Sequence, residues 1–217
     1  MTVPSMTEFL RTGSDTATVT LVLGHGAGAG MDSPFLVLIS ELLAARDLQV
    51  VRFEFAYMAA RRRGGKRRPP PKADLLDGEM IAAVRTISEQ TGSGKLAIGG
   101  KSMGGRVASH VAGALHDDGL VAGLVCLGYP FHPPKTPERL RTAHLAGLTV
   151  PALFVQGERD PFGSRAEIEA LTLPPSIVFH WAHDGDHDLG PRGGSGTTRR
   201  GNMEAAADAV AAFLKAL

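Results

Sequence analysis

Cysteine is nearly missing from this chain, with one residue, Cys126, among 217. That excludes an internal disulfide framework and a thiolate cluster for zinc. Cys126 itself lies in the apolar run 122–127, where it reads as a small core hydrophobe. Long apolar runs are missing too, and none approaches the roughly 18 residues a membrane helix needs. The opening MTVPSMTEFLRTGSD has no basic stretch followed by an apolar one, so no leader is expected. Lysine and arginine (23) nearly balance aspartate and glutamate (22), and the net charge of +1 gives no overall field for nucleic acid or membrane. Aromatic residues make up only 6%, and none falls in the strongly basic stretch 61–68, which argues against base stacking there. The expectation is a cytoplasmic protein with neither a membrane nor a nucleic-acid partner. With 43% hydrophobic residues, the chain is long enough for one sizeable core and too short for two ordinary domains, so residues 1–217 read as a single domain.

Glycine, by contrast, is plentiful and placed with purpose. The stretch KLAIGGKSMGG, residues 95–105, contains Gly100-Lys101-Ser102-Met103-Gly104, a G-x-S-x-G pattern. A short apolar run, Leu96-Ala97-Ile98, precedes it, and Val107, Val111 and Leu115 follow at a spacing of four, on one helix face. This is the context of a nucleophile elbow, in which a strained strand-to-helix turn pushes the serine hydroxyl into the open. Gly100, Gly104 and Gly105 allow the close strand–helix approach such a turn needs.

Along the chain, residues 18–24 (TVTLVLG) read as a buried strand, followed by the glycine-rich HGAGAG and a helix with Ser33 as N-cap and Pro34 in its first turn, running to about Arg46. A second strand covers 49–55. The stretch 61–71, RRRGGKRRPPP, reads as having no regular element. A helical period resumes over 74–91 and stops at Gly92, which suits a left-handed C-terminal position. After the elbow, further strands are expected at 121–129, 151–156 and 177–181, with a weak helical pattern at 165–171 and a closing helix carrying Met203, Ala207, Val210, Leu214 and Leu217. Six strand candidates separated mostly by helices imply a largely parallel sheet covered on both faces.

In such sheets the working groups gather in the loops after the strands. Those loops carry, in chain order, Ser102, Asp160 and His187, which is the order of an α/β-hydrolase triad. In that reading Ser102 is the nucleophile, neutral His187 takes its proton and returns it to the leaving group, and Asp160 fixes the imidazole tautomer. As base, His187 must be neutral, so acylation should fail on acidification. His187 is preferred to His183 because it follows Gly185 in a loop free to swing over the elbow. The Met103 and Ala27 N–H groups are the expected oxyanion donors, and His25 is expected to hold the Ala27 loop or to touch substrate. Only about 20 residues separate the fourth and fifth strands, too few for a large lid, so short soluble acyl esters are the expected substrates.

HGAGAGMDSPF, GGKSMGGR, GERDPFG and DGDHDL together resemble the small α/β-hydrolases related to dienelactone hydrolase. The resemblance is greatest to the branch shared with testis-expressed protein 30 and a subunit of the NSL histone acetyltransferase complex, and it spans nearly the whole chain. It implies a compact α/β-hydrolase fold without a large lid domain. By motif it also implies Ser102 as nucleophile, Asp160 as acid and His187 as base; separately, no cofactor and no metal are expected. It names no substrate, and interaction roles among such relatives keep a non-catalytic scaffold open. Because little sequence precedes Thr18, the leading strands of the full fold are expected to be missing or vestigial.

Competing motifs fit less well. Gly24-His25-Gly26-Ala27-Gly28-Ala29, with Glu54 downstream, satisfies a dinucleotide fingerprint, but the helix begins several residues too late to receive a pyrophosphate. Gly100-Lys101-Ser102 fails as a phosphate loop because Lys95 stands where its first glycine must be. His183, Asp184, Asp186, His187 and Asp188 lack the helical spacing of a zinc site. The basic stretch stays open between a solvated face and a site on the same rim, where Arg61, Arg62 and Arg63 would hold a substrate carboxylate or phosphate. An acidic partner docked on residues 61–68 is the scaffold alternative. Phe131 and His132, after the fourth strand, are expected to line the pocket from the other side.

Overall fold

The computed structural model describes residues 8–66, 69–91 and 94–217. Among these residues seven strands form one sheet: β1 (Phe9–Thr12), β2 (Val19–Gly24), β3 (Gln49–Phe53), β4 (Lys95–Lys101), β5 (Gly123–Leu127), β6 (Ala152–Gly157) and β7 (Ile177–Ala182). Their spatial order is β1-β3-β2-β4-β5-β6-β7. All neighbours are parallel except β1, which runs antiparallel to β3 with Phe9 opposite Phe53. The helices are α1 (Pro34–Ala44), α2 (Ala56–Arg62), α3 (Asp77–Gln90), α4 (Met103–Asp117), α5 (Arg165–Glu169) and α6 (Arg199–Ala216). Short 3₁₀ turns at Ala73–Leu76 and Ala143–Gly147 complete the regular structure of the described residues.

Strand alternation divides the core. Leu21, Leu23, Ala97, Val125 and Val155 face one side, where they pack with Leu36 and Leu43 of α1 and Met203 and Val210 of α6. Their neighbours Val22, Ile98, Cys126 and Phe154 face the other side, against Met80 and Val84 of α3 and Val107 and Val111 of α4. The central strands are buried on both faces, which is why they read as continuous apolar runs rather than alternating ones.

Two expectations need correction. A seventh strand exists, because β1 is only four residues long and adds a single edge pairing too short to leave a periodic signal. The start of the basic stretch is helical, since Ala56–Arg62 is rich in helix formers, anchors itself with buried Met58, and ends with Arg61 and Arg62 in its last turn, where the helix dipole favours cations. The expected Gly92 helix stop and the Arg67 and Arg68 end of the basic stretch lie outside the described residues. Between β5 and β6 only loops and the 3₁₀ turn Ala143–Gly147 occur, so nothing there amounts to a lid domain. Among the described residues, no helix is long and apolar enough to cross a membrane.

Candidate active site

β4 passes directly into α4 through Ser102, whose φ of 52° and ψ of −113° are a costly conformation for a residue with a side chain. Glycine makes the turn possible: a Cβ at Gly100 would collide with the backbone of Gly104, and one at Gly104 with the Gly24 carbonyl. The Ser102 N–H is held by Leu127 O at 2.9 Å. Met103 opens the helix, so its N–H has no partner within α4.

Asp160 follows β6 and is fully buried. Its Oδ2 accepts from His187 Nδ1 at 2.8 Å and from Gln156 Nε2 at 3.0 Å, and its Oδ1 accepts from Phe162 N–H at 2.8 Å. His187 follows β7, its side chain is 22% exposed, and its ring lies 4.4 Å from that of Phe162. The ring also sits beside Gly128, the residue after Leu127, because a Cβ there would meet His187 Cε1 at 3.4 Å. Pairing Nδ1 with Asp160 leaves Nε2 as the ring's basic nitrogen. Among the described residues, Ser102 Oγ makes no hydrogen bond within 3.5 Å. Unliganded sites of this kind often tighten only around substrate.

Two supporting residues were not singled out from the sequence. Lys101 is buried directly before the nucleophile. Its Nζ donates to the His187 carbonyl at 2.8 Å, lies 3.3 Å from Asp188, and sits 5.1 Å from the centroid of the Phe35 ring. Burial lowers the pKa of its ammonium, against the pull of Asp188 and Asp160. Gln156 ties three segments together: its Nε2 reaches Asp160, Tyr129 O and Gly163 O, and its Oε1 accepts from Tyr129 N–H. A lysine inside the elbow motif and a glutamine at a strand end carry no distinctive sequence signal.

The loop after β2 is held by its carbonyls. His25 Nδ1 contacts Gly26 O at 2.7 Å while its Nε2 accepts from Phe55 N–H at 3.1 Å; Tyr57 Oη donates to Ala27 O at 3.1 Å and Arg61 Nη1 to Gly28 O at 3.4 Å. Of this loop, Ala27 lines the cleft together with Ser102 and Met103. Burial lowers the His25 pKa, consistent with a neutral ring that donates from Nδ1 and accepts at Nε2.

Several expected substrate contacts fall elsewhere. His25 is fully buried with both ring nitrogens engaged, so it holds the loop. Arg62 is committed to the buried Glu54, at 2.9 Å from both oxygens, and to Asp32 at 3.1 Å. Arg61 braces Gly28, and neither it nor Arg62 or Arg63 borders the Ser102 cleft. Phe131 is buried in an aromatic cluster with Tyr129 and Phe154, and with His132 it lines a second cleft of about 280 Å³ rather than the one that Ser102 lines. His183 is 67% exposed beside Glu158, away from the Asp160 carboxylate. Asp184 is taken by Arg159 and Arg192, which hold its carboxyl well below the usual range.

The chain matches the alpha/beta hydrolase domain family over residues 17–215. Among solved structures, the dienelactone hydrolase of Anabaena variabilis aligns with a TM-score of 0.69 at 21% identity, over 97% of this chain and 91% of that one. An esterase from Pyrococcus furiosus aligns at 0.69 and 15% identity, over 97% and 92%. An alpha-beta serine hydrolase homologue from Coxiella burnetii aligns at 0.65 and 17% identity, over 97% and 90%. At these identities the likeness is one of fold.

Proposed function

This chain belongs to the alpha/beta hydrolase domain family, and from that premise we propose that it is a serine hydrolase cleaving a small carboxylic ester or thioester through Ser102, His187 and Asp160. The observation that carries the reading is the 2.8 Å pair between His187 Nδ1 and the buried Asp160 Oδ2, together with a serine held at φ 52° on a strand-to-helix turn. Strain of that kind persists where function requires the side chain to be presented.

In the proposed reaction Ser102 Oγ attacks the scissile carbonyl as His187 Nε2 takes its proton. Asp160, held by Gln156 and Phe162, stabilises the imidazolium that results. The tetrahedral oxyanion is met by the Met103 and Ala27 N–H groups, each worth roughly 3 to 4 kcal/mol judged by deletion of one such donor. Collapse expels the alcohol or thiol, which receives the proton from His187. Water, deprotonated by the same imidazole, then releases the acid and restores the serine. The reading treats residues 1–217 as one domain, calls for no cofactor or metal, favours short soluble acyl groups and goes with a cytoplasmic location. The finer kinship, with the branch that includes testis-expressed protein 30, belongs to this proposal as well.

A fluorophosphonate probe tests it, with the adduct mapped by peptide mass spectrometry. Ser102 alone should be labelled, and Ser102→Ala should abolish labelling in a folded protein. Labelling at another residue, or none in well-folded protein, would favour a hydrolase-like scaffold.

A further inference from the structure

The cleft in front of Ser102 has a volume of about 1060 Å³, and its charge is lopsided. Lys72, Arg106, Arg139 and Arg141 border it, against two carboxylates, Asp74 and Glu138. Elsewhere arginines meet acids closely: Arg46 with Asp208, Arg62 with Glu54, Arg159 and Arg192 with Asp184. Among the described residues, no carboxylate lies within 4.0 Å of the guanidiniums of Arg106, Arg139 or Arg141, and none of the three donates a side-chain hydrogen bond to protein. The Nε of Arg106 is buried with no partner at all. Arg141 is half-buried, and its pKa is lowered first by that burial and next by the Arg106 charge. Gathering like charges partly out of water is unfavourable unless an anion joins them.

The position of Arg106 relates this wall to the chemistry. It lies one helical turn beyond the nucleophile on α4, with its N–H bonded to Ser102 O at 3.0 Å. We infer that Arg106 and Arg141, with Arg139 at the rim, recognise a carboxylate on the substrate, which makes the substrate a half-ester or half-thioester of a short dicarboxylic acid. The arginines and the nucleophile line one cleft, so the probe used below carries three carbons between the scissile carbonyl and the carboxylate. Planar guanidinium forks suit this geometry, since each can meet a carboxylate with two parallel N–H bonds. Arg61 and Arg62 are already committed to Gly28 O and Glu54, and the arginines that recognise the anion stand on α4 and in the loop after β5. This inference rests on Ser102 as the nucleophile only for the identity of the reacting bond; the anion site itself does not depend on turnover.

The test compares monoethyl glutarate with ethyl valerate, which has the same acyl chain length and no carboxylate. The wild-type protein should prefer monoethyl glutarate in kcat/KM by on the order of tenfold or more, as charge-assisted hydrogen bonds allow. The preference should shrink as salt is added. In Arg106→Gln and Arg141→Gln the ratio of the two kcat/KM values should collapse toward one, a readout independent of the folded fraction because both esters are measured on one preparation. Calorimetric titration of Ser102→Ala with monoethyl glutarate separates this inference from the hydrolase reading. Binding that is lost on adding Arg106→Gln, in a protein that turns over neither ester, would keep the anion site and sink the hydrolase. Turnover of ethyl valerate with no preference for the charged ester and no calorimetric binding would overturn the anion site and leave the hydrolase standing.

Discussion

Behind Ser102, the Lys101 ammonium donates to the His187 carbonyl, His187 donates to Asp160, and Asp160 also accepts from Gln156 and Phe162. In front of it, Arg106, Arg139 and Arg141 line an open cleft with no carboxylate within 4.0 Å among the described residues. Lys101 precedes Ser102 and Arg106 follows it by one helical turn, and the two regions differ in how their charges are satisfied. A buried network with its donors and acceptors paired fixes geometry, because any displacement leaves a desolvated group unpaired. A set of cations without carboxylate partners, Arg106 and Arg141 half-buried and Arg139 exposed, fixes little, and its free energy falls only when an anion arrives. The rear of the site is therefore built for positioning and the front for recognition.

The largest expected effects fall on the rear region. Ser102→Ala and His187→Ala should each lower kcat on the order of 10⁶, as seen when the nucleophile or base is removed from a well-studied serine protease. Asp160→Asn should lose less, on the order of 10⁴, since the imidazole remains but its tautomer is no longer held. His183→Ala should turn over nearly as wild type, because its ring is exposed beside Glu158. Steady-state kinetics on one short ester decides the set. A dead His183→Ala with an active His187→Ala would mean that the buried histidine–aspartate pair is structural and the base lies elsewhere.

The rear region was only partly legible in the sequence. Ser102, Asp160 and His187 could be picked out because a parallel sheet delivers the loop after every strand to one rim, so position along the chain stands in for position in space. Lys101 could not, because its partners lie on the loop after β7, and only the adjacency of β4, β5 and β6 brings that loop over it. In the front region the obvious signal misled. The basic stretch stands out as a run, yet Arg62 is consumed by Glu54 and Arg61 by Gly28 O. Arg106 and Arg141, separated by a strand and its loop, look like ordinary surface residues until the fold puts them together. Similarly, β1 escaped notice because one short edge pairing leaves no periodicity, whereas β2, β4, β5 and β6 stood out through burial on both faces.

A smaller effect sharpens the idea that the rear positions rather than stabilises. Lys101→Met keeps the length and apolar bulk of the side chain but removes the donor to His187 O and the partner of Asp188. Desolvating an ammonium is costly, and Asp188 is half exposed, so it can return to water once released. The melting temperature should therefore hold or rise, while kcat falls roughly 100-fold with KM little changed, because a catalytic group displaced by about 1 Å loses that order of rate. Thermal melts and steady-state kinetics on the same preparation give both readouts. A parallel fall in melting temperature and kcat would make Lys101 a structural residue and erase the contrast between the two regions.

The smallest expected effect probes the front wall from behind. His144 packs against it, with Nε2 2.8 Å from Ser109 Oγ, 3.4 Å from Tyr129 Oη, and its ring 4.5 Å from that of His110. Burial, then the His110 and Arg106 charges, lower its pKa from 6.5 to about 4. Above about pH 6.5 the imidazole is neutral in both the folded and unfolded chains, and it adds no pH dependence. Between 6.5 and about 4 the unfolded chain binds a proton that the folded one refuses, so stability falls with acidification across that window and levels off below it. Asp77, bonded to His110, works in the opposite sense at lower pH, since burial raises its pKa and the folded chain takes up its proton first. Urea denaturation at about pH 7 and about pH 5 should show a drop in midpoint for the wild type and a smaller drop for His144→Gln, which retains a polar group for Ser109 but cannot titrate. Equal drops in the two proteins would mean that His144 takes up its proton in the folded state as readily as in the unfolded one, and that the arginine wall tolerates a further positive charge at its back.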